Sequence, residues 1–387
     1  MNKFYARLKN LFSPPSLIAP GVYHYQAPPS ADEPYRMHLR VEKGGRGLLI
    51  INAATVLHLN QTATEYAFYL IQGISDQDVV REVSNRYSTG PDQVRKDYQE
   101  FKNKIQTMIE RPDLDPVHYL DLDRKSPYAG AISAPYRMDC ALTYRLPEES
   151  NPDLAPTRNV DRELTTSEWK TILDKAWKAG IPHVSFTGGE PTLREDLVEL
   201  INHAEENGQV TGLLSDGFRF ADQAFLQEVL LTGLDHLLFV LTPLREDSWA
   251  VLQKVLDEDI HTTVHITIHK EFAEHMEDML KKLKDMGANA LSLSVRSPQD
   301  PTLKKALSKA RSFAAEIGLP LKWDLPVPYS VHNPVSLETE GEDNPRKAGK
   351  AWIYVEPDGD VLPTQGGEQI YGNLWEDPWE AVWSKAT

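Results

Sequence analysis

Residues 165–191 read TTSEWKTILDKAWKAGIPHVSFTGGEP, and the fold is decided there. Thr165 followed three residues later by Glu168 is a capping box, so a helix starts at this point. Trp169, Ile172, Leu173, Ala176 and Trp177 recur at helical spacing and share one face. Gly180 ends the helix as a left-handed cap. HVSFTG then reads as a strand, and Gly188-Gly189-Glu190-Pro191 turns the chain at its C-terminal end. Helix, strand and glycine-bearing turn make one repeat of a parallel α/β sheet.

The same alternation runs from residue 137 to 326. The strand candidates are MDCALTY, HVSFTG, VTGLLSD, HLLFVLT, TTVHITIH, ALSLSV and LPLKWDL, with helices between them, among them Phe272 to Met286. A structural parallel strand, buried on both faces, reads as a near-continuous apolar run. Several of these alternate instead. Thr263, His265, Thr267 and His269 share one face, and Ser292, Ser294 and Arg296 do the same. His183, Ser185 and Thr187 oppose Val184 and Phe186, and Asp139 and Thr143 oppose Cys140 and Leu142. With apolar faces needed for the helices, the polar faces line the inside of a closed or half-closed barrel. Such a lumen suits a polar ligand or water, since a packed barrel core is mostly branched aliphatics. An antiparallel sheet with one wet face is the alternative, and the long helical crossovers weigh against it.

Upstream, residues 1–33 are an N-terminal segment whose first 12 residues suit a short amphipathic helix. Residues 34–112 read as two or three strands followed by three helices, a small winged-helix-like α+β domain. Val94, Tyr98, Phe101, Ile105 and Ile109 mark one helix face, and Ser75 and Pro91 mark helix starts. Residues 113–136 are a Pro- and Asp-rich linker. Residues 327–387 hold a hairpin around Pro357-Asp358-Gly359 and a short helix with Trp379 and Trp383.

The 387 residues carry a net charge of −16 and a single cysteine. One thiol excludes an intrachain disulfide, a CxxC redox pair and a cysteine-rich zinc site. Residues 1–112 hold 14 Lys and Arg against 11 Asp and Glu, so an acidic body follows a slightly basic module. That balance argues against nucleic acid as a partner. A winged-helix DNA binder stays a distant reading through Arg95, Lys96, Lys102 and Lys104. No run approaches the roughly 18 apolar residues of a membrane span, and no signal h-region precedes Pro14. No transmembrane segment and a cytoplasmic protein are expected.

The turn Phe186-Thr187-Gly188-Gly189-Glu190-Pro191 sits at a strand C-terminus, where parallel α/β domains bind ligands. With LTYRLPEESNPD ahead of it, the stretch resembles the radical S-adenosylmethionine (SAM) superfamily, in its PqqE-like peptide-modifying branch. LLIINAATVLHLNQTATEYAFYLIQG is similar to a PqqD-like leader-binding domain, and EPDGDVLPTQGGEQIYGNLWEDPWEAVW to a SPASM/twitch extension. The resemblance implies a partial (β/α)6 TIM-like barrel over residues 137–326, a peptide-recognition domain over 34–112 and a degenerate twitch-like tail. It implies SAM as a candidate ligand, with Gly188, Gly189, Glu190 and Pro191 at its methionine end. Ser215, Asp216, Thr242, His265, Ser294 and Arg296 would complete the ligand shell. Hydrogen-bonded filling of the lumen is the bland reading of the histidines, and a Glu190–Arg296 ion pair that of those two.

The departure from the family is in its cluster ligands. Its CxxxCxxC hallmark falls on Leu146, Ser150 and Asp153, and Cys140 lies on the apolar face of the first strand. Thr364 follows Pro363 where the tail's family carries a cysteine. No [4Fe–4S] cluster and no other metal are expected, because iron–sulfur centres want thiolates. Four expectations follow. The first is a cluster-less protein of a peptide-modification pathway, binding a peptide or precursor protein through residues 34–112 and a polar ligand in the barrel. An intact radical SAM enzyme is a further partner in that reading. The second is a non-radical enzyme, performing methyl transfer or acid–base chemistry through Asp139, Asp216 or His265. The third is a radical enzyme whose cluster comes from a partner chain, and the last is the DNA-binding regulator. The first domain can accept a peptide by strand addition along RGLLIINAATVLHLN.

Overall fold

The computed structural model describes residues 18–28, 35–52, 55–111, 132–147, 160–297, 299–322 and 349–386. The expected amphipathic start, most of the linker, Ser150, Asp153 and the acidic run Glu338 to Asp343 lie outside them. The chain forms two compact units, Met1–Ser133 and Ala134–Thr387. No helix among the described residues is long and apolar enough to cross a membrane.

Among its described residues, the first unit is a four-stranded antiparallel meander with three helices. Its strands are β1 (Gly21–Gln26), β2 (Arg36–Val41), β3 (Gly47–Ile51) and β4 (Thr55–Leu59), in that order across the sheet. β1 lies upstream of residue 34, where the domain was expected to begin. Its alternation is weak because only Tyr23 and Tyr25 lean on the core, and pairing with β2 makes it a strand. The helices are α1 (Gln61–Ile71), α2 (Asp76–Tyr87) and α3 (Pro91–Glu110). Ser75 caps α2 by accepting from the Asp78 N–H, and Pro91 opens α3. The spacing read from the sequence holds: Val94, Tyr98, Ile105 and Ile109 are buried, joined by Met108.

Among its described residues, the second unit is built on one nine-stranded sheet. Six parallel strands follow one another: β5 (Arg137–Thr143), β6 (His183–Gly188), β7 (Val210–Ser215), β8 (His236–Val240), β9 (His261–Ile268) and β10 (Ala290–Val295). Between them run α4 (Thr166–Ala179), α5 (Leu197–Asn207), α6 (Gln223–Leu230), α7 (Glu246–Leu256) and α8 (Met276–Asp285), with α9 (Pro301–Glu316) after β10. The run from Phe272 is a 3-10 turn over Ala273–His275 before α8 begins. This is a mixed α/β fold with a parallel sheet, in keeping with a partial TIM-like barrel, and the antiparallel alternative is excluded. Of LPLKWDL, residues 319–322 are described, and they contribute one isolated bridge, Leu321 to Leu291.

The tail adds β11 (Trp352–Val355), β12 (Asp360–Leu362), β13 (Gly372–Asn373) and α10 (Trp379–Trp383). The expected hairpin forms between β11 and β12. β11 also runs parallel beside β5, so the tail extends the barrel's own sheet. α4 has its capping box at Thr165 and Glu168 and its left-handed cap at Gly180.

Register puts the polar positions in line. Asp139, Ser185, Gly212, His236 and His261 form one cross-strand row, and Val240, His265 and Ser292 another. Val184, Phe186, Leu213, Val264, Ile266, Leu291 and Leu293 belong to the other face and are buried. Burying a row of this kind is worth ~25 cal/mol per Å² of apolar surface. It fixes which residues are left to the lumen, since a one-residue slip would exchange the faces.

Candidate functional site

The turn after β6 is built against the chain's own backbone. Gly188 has φ +135°, and a Cβ there would lie 2.1 Å from the Thr143 carbonyl oxygen. A Cβ on Gly189 would lie 2.1 Å from that of Arg145. The Gly189 N–H donates to Thr143 O at 2.6 Å, and the Glu190 N–H to Arg145 O at 2.8 Å. The paired glycines let the segment leaving β5 cross this turn, which accounts for them before any ligand is considered.

Glu190 is buried, 1% exposed. Its Oε1 accepts from the Thr192 N–H at 3.0 Å, the Thr192 hydroxyl at 2.6 Å and the Ser215 hydroxyl at 2.8 Å. Its Oε2 accepts from the Asp216 N–H at 2.8 Å. An ionised carboxylate has about four acceptor sites, so the chain's own donors occupy this one. Ser215 passes the network on by accepting from the Gly217 N–H at 3.0 Å. Asp216 is 6% exposed, and burial together with the Glu190 charge raises its carboxyl to about 8. Asp216 therefore keeps its proton at neutral pH. Glu190 and Arg296 form no ion pair among the described residues, which removes that reading of the two.

His265 sits at the centre of the polar face, fully buried. Its Nδ1 pairs with the Ser292 hydroxyl at 3.0 Å, and its Nε2 lies 3.1 Å from both the Thr267 and Ser294 hydroxyls. Burial lowers it to about 3, so it is neutral at pH 7 and held by hydroxyls. Arg137 and Asp139 close on each other at 2.8 Å at the start of β5, which gives that carboxylate a resident cation. Thr242, just past β8, takes its place in a loop: its N–H donates to Ser248 Oγ at 3.1 Å, and its carbonyl accepts from the Arg245 N–H. Arg296 follows β10, its N–H bonded to Ile268 O at 3.0 Å.

Two features were missed in the sequence. Thr187 is fully buried on the lumen-facing register of β6, and its hydroxyl has no partner among the described residues. Its place in the alternation was visible, whereas its lack of a partner is a property of packing. The second is a histidine pair at the strand starts. The His183 and His236 rings meet edge to face at 4.9 Å, and burial first, then neighbouring charge, lowers both. Gly212 makes this possible, because a Cβ there would fall 2.3 Å from His236 Nε2.

Among the described residues, none supplies a thiolate where the resemblance puts a cluster ligand. Leu146, at the first ligand position of the resemblance, has no ligand atom and packs against Leu214, Leu238 and Val240. Cys140 is fully buried on the opposite face from the lumen positions, and burial pushes its thiol well up. For SAM the fit is partial: the glycine turn is in place, while the Glu190 carboxylate, which the resemblance puts at the methionine end, already accepts from the chain's own donors.

In the first unit β4 is an edge strand, and a cavity of about 200 Å³ lies along it. Leu57, Leu59, Ala63, Phe101, Ile105 and Lys104 line it.

The family model of the radical SAM superfamily matches residues 140–315. The PqqA peptide cyclase of Bradyrhizobium diazoefficiens is 26% identical over 283 residues, spanning 65% of this chain and 72% of that protein. That of Rhodopseudomonas palustris is 25% identical over 286 residues, with the same coverage. Among solved structures, Streptococcus suis SuiB bound to precursor peptide SuiA superposes with a TM-score of 0.60 at 13% identity, over 95% of this chain and 88% of that one. SuiB bound to S-adenosylmethionine gives 0.58 at 14% identity, over 93% and 88%.

Proposed function

We propose, proceeding from the radical SAM domain that residues 140–315 carry, that this protein is a cluster-less member of a peptide-modification pathway. It holds a peptide on its first unit and a polar ligand, SAM or a related nucleoside, in the barrel. The observation that carries this reading is Leu146 packed on Leu214, Leu238 and Val240, beside a retained Gly188–Pro191 turn. Hydrocarbon occupies the position where the chemistry needs a thiolate, and reductive SAM cleavage has no iron to draw an electron from. The similarity to PqqA peptide cyclases and to a SuiB structure bound to a precursor peptide supports a peptide partner. The edge of β4, unpaired among the described residues, and the cavity beside it support strand addition as the mode, with side chains of the added strand reaching Phe101 and Ile105.

The test is anaerobic iron–sulfur reconstitution of the full chain, followed by iron analysis and EPR. No bound iron is expected, and stoichiometric iron overturns the cluster-less reading. A displayed random-peptide library selected on the full chain checks the peptide half. Selected peptides should lose binding to Phe101→Asp and keep it with Glu190→Gln.

One observation favours a second reading. Asp216, buried and held near 8 beside Glu190, is a proton donor poised for neutral pH. Non-radical acid–base chemistry in the lumen would use it. Turnover of a selected peptide, abolished by Asp216→Asn, would favour this reading over a scaffold.

A further inference from the structure

Most of the lumen's polar groups satisfy one another: Glu190 with Thr192, Ser215 and Asp216, and His265 with Ser292, Thr267 and Ser294. Arg296 does not join them. Its Nη1 is buried, and no acceptor lies within hydrogen-bond reach of it among the described residues. The other arginines near the barrel have acceptors: Arg137 has Asp139, Arg194 has Asp196 with the Leu142 and Leu164 carbonyls, and Arg245 has Asp247. The neighbour of Arg296 just past β9 offers no counter-charge. His269 stacks on Phe272, and burial together with the Arg296 charge disfavours its protonation, against a smaller opposing pull from Glu271. A guanidinium half withdrawn from water with an empty donor calls for an acceptor from outside the chain. It stands at the C-terminal end of a parallel strand, on the register of Ser292 and Ser294, where such folds bind ligands.

We propose that Arg296 reads an anionic group, a carboxylate or a phosphate, on the ligand of the lumen. Its planar fork matches both groups in a two-bonded geometry that a lysine cannot reproduce. Recognition of the ligand is thereby placed at the end of β10 and not at Glu190, whose acceptors are taken. For SAM the group is the methionine carboxylate, and that identification rests on the reading proposed above.

The experiment has two arms on the full chain. In the first, inorganic phosphate and, separately, succinate are titrated while Tm is followed. Saturable stabilisation of the wild type, absent from R296Q, is expected. In the second, calorimetry compares SAM with decarboxylated S-adenosylmethionine. R296Q should weaken SAM about 10- to 100-fold, leave the decarboxylated compound unchanged, and be partly rescued by R296K. Equal weakening of both compounds would mean that Arg296 only supports the structure, and no weakening of either would remove it from recognition. If the wild type binds no SAM yet shows Arg296-dependent stabilisation by the anions, the SAM identification fails and the anion site stands. If neither arm depends on Arg296, the anion site fails, whatever SAM does.

Discussion

Ser215 donates its hydroxyl to Glu190 Oε1 at 2.8 Å, tying the turn after β6 to the last residue of β7. With the Thr192 and Asp216 donors, it makes Glu190 the pin of two adjacent strand ends. A residue that sequence assigns to a ligand is, in the fold, a structural acceptor first.

Glu190→Ala should therefore cost stability without any ligand present. Four donors lose their acceptor in a buried site, which is worth roughly 2 to 4 kcal/mol. Urea unfolding checks it, with Glu190→Gln expected to lose less. An unchanged midpoint for the alanine variant would show that these hydrogen bonds contribute nothing.

Asp216 makes stability depend on pH in an unusual direction for a carboxyl. Its folded value, about 8, lies above the ordinary 3.8, so the folded state keeps a proton that the unfolded chain releases. Its contribution is complete below about pH 4 and is lost as pH rises through 8, with a slope of at most about 1.4 kcal/mol per pH unit. D216N stays neutral and should flatten that decline. Unfolding curves at pH 5 and pH 8.5 measure it, and parallel pH profiles for wild type and variant would refute the retained proton.

Gly189→Ala places a Cβ 2.1 Å from Arg145 O. Backbone cannot yield as a side-chain tip can, so a loss above about 3 kcal/mol, or failure to fold, is expected. Gly44→Ala, in open space, is the control and should fold normally in circular dichroism. A stable Gly189→Ala protein would show that the turn is looser than this packing implies.

Leu146 lets the proposed loss of the cluster be tested apart from the fold. Leu146→Ala should cost about 1 to 2 kcal/mol, less than a fully buried leucine, because its contact with Leu214, Leu238 and Val240 is partial. The triple variant L146C/S150C/D153C restores the family's ligand spacing and should take up iron on anaerobic reconstitution, where the single variant L146C does not. Iron uptake equal to that of the wild type would mean that the spacing alone does not make a site.

The repeat at residues 165–191 was legible because its signals are local: a capping box, helical spacing, a left-handed glycine and an alternating strand. Even so, β1 escaped notice, since Tyr23 and Tyr25 gain their burial only from the core they lean on. β11 was read as half of a hairpin, and its parallel pairing with β5 spans more than 200 residues of sequence, which no local pattern encodes. The site divides in the same way. The polar row of His265, Thr267, Ser292 and Ser294 was visible as alternation, while their mutual satisfaction was not.

By itself, then, the sequence determined the α/β alternation, the polar register of the strands, the glycine turn and the lack of thiolates at the family's ligand positions. All of these depend on residue type and near neighbours. The tertiary structure decided which polar groups are already satisfied. Glu190 and His265 met partners from other strands, whereas Arg296 Nη1 met none among the described residues. Hydrogen bonding inside a barrel is settled between strands far apart in the chain, so only the folded molecule separates a group that holds the protein together from one left for a ligand.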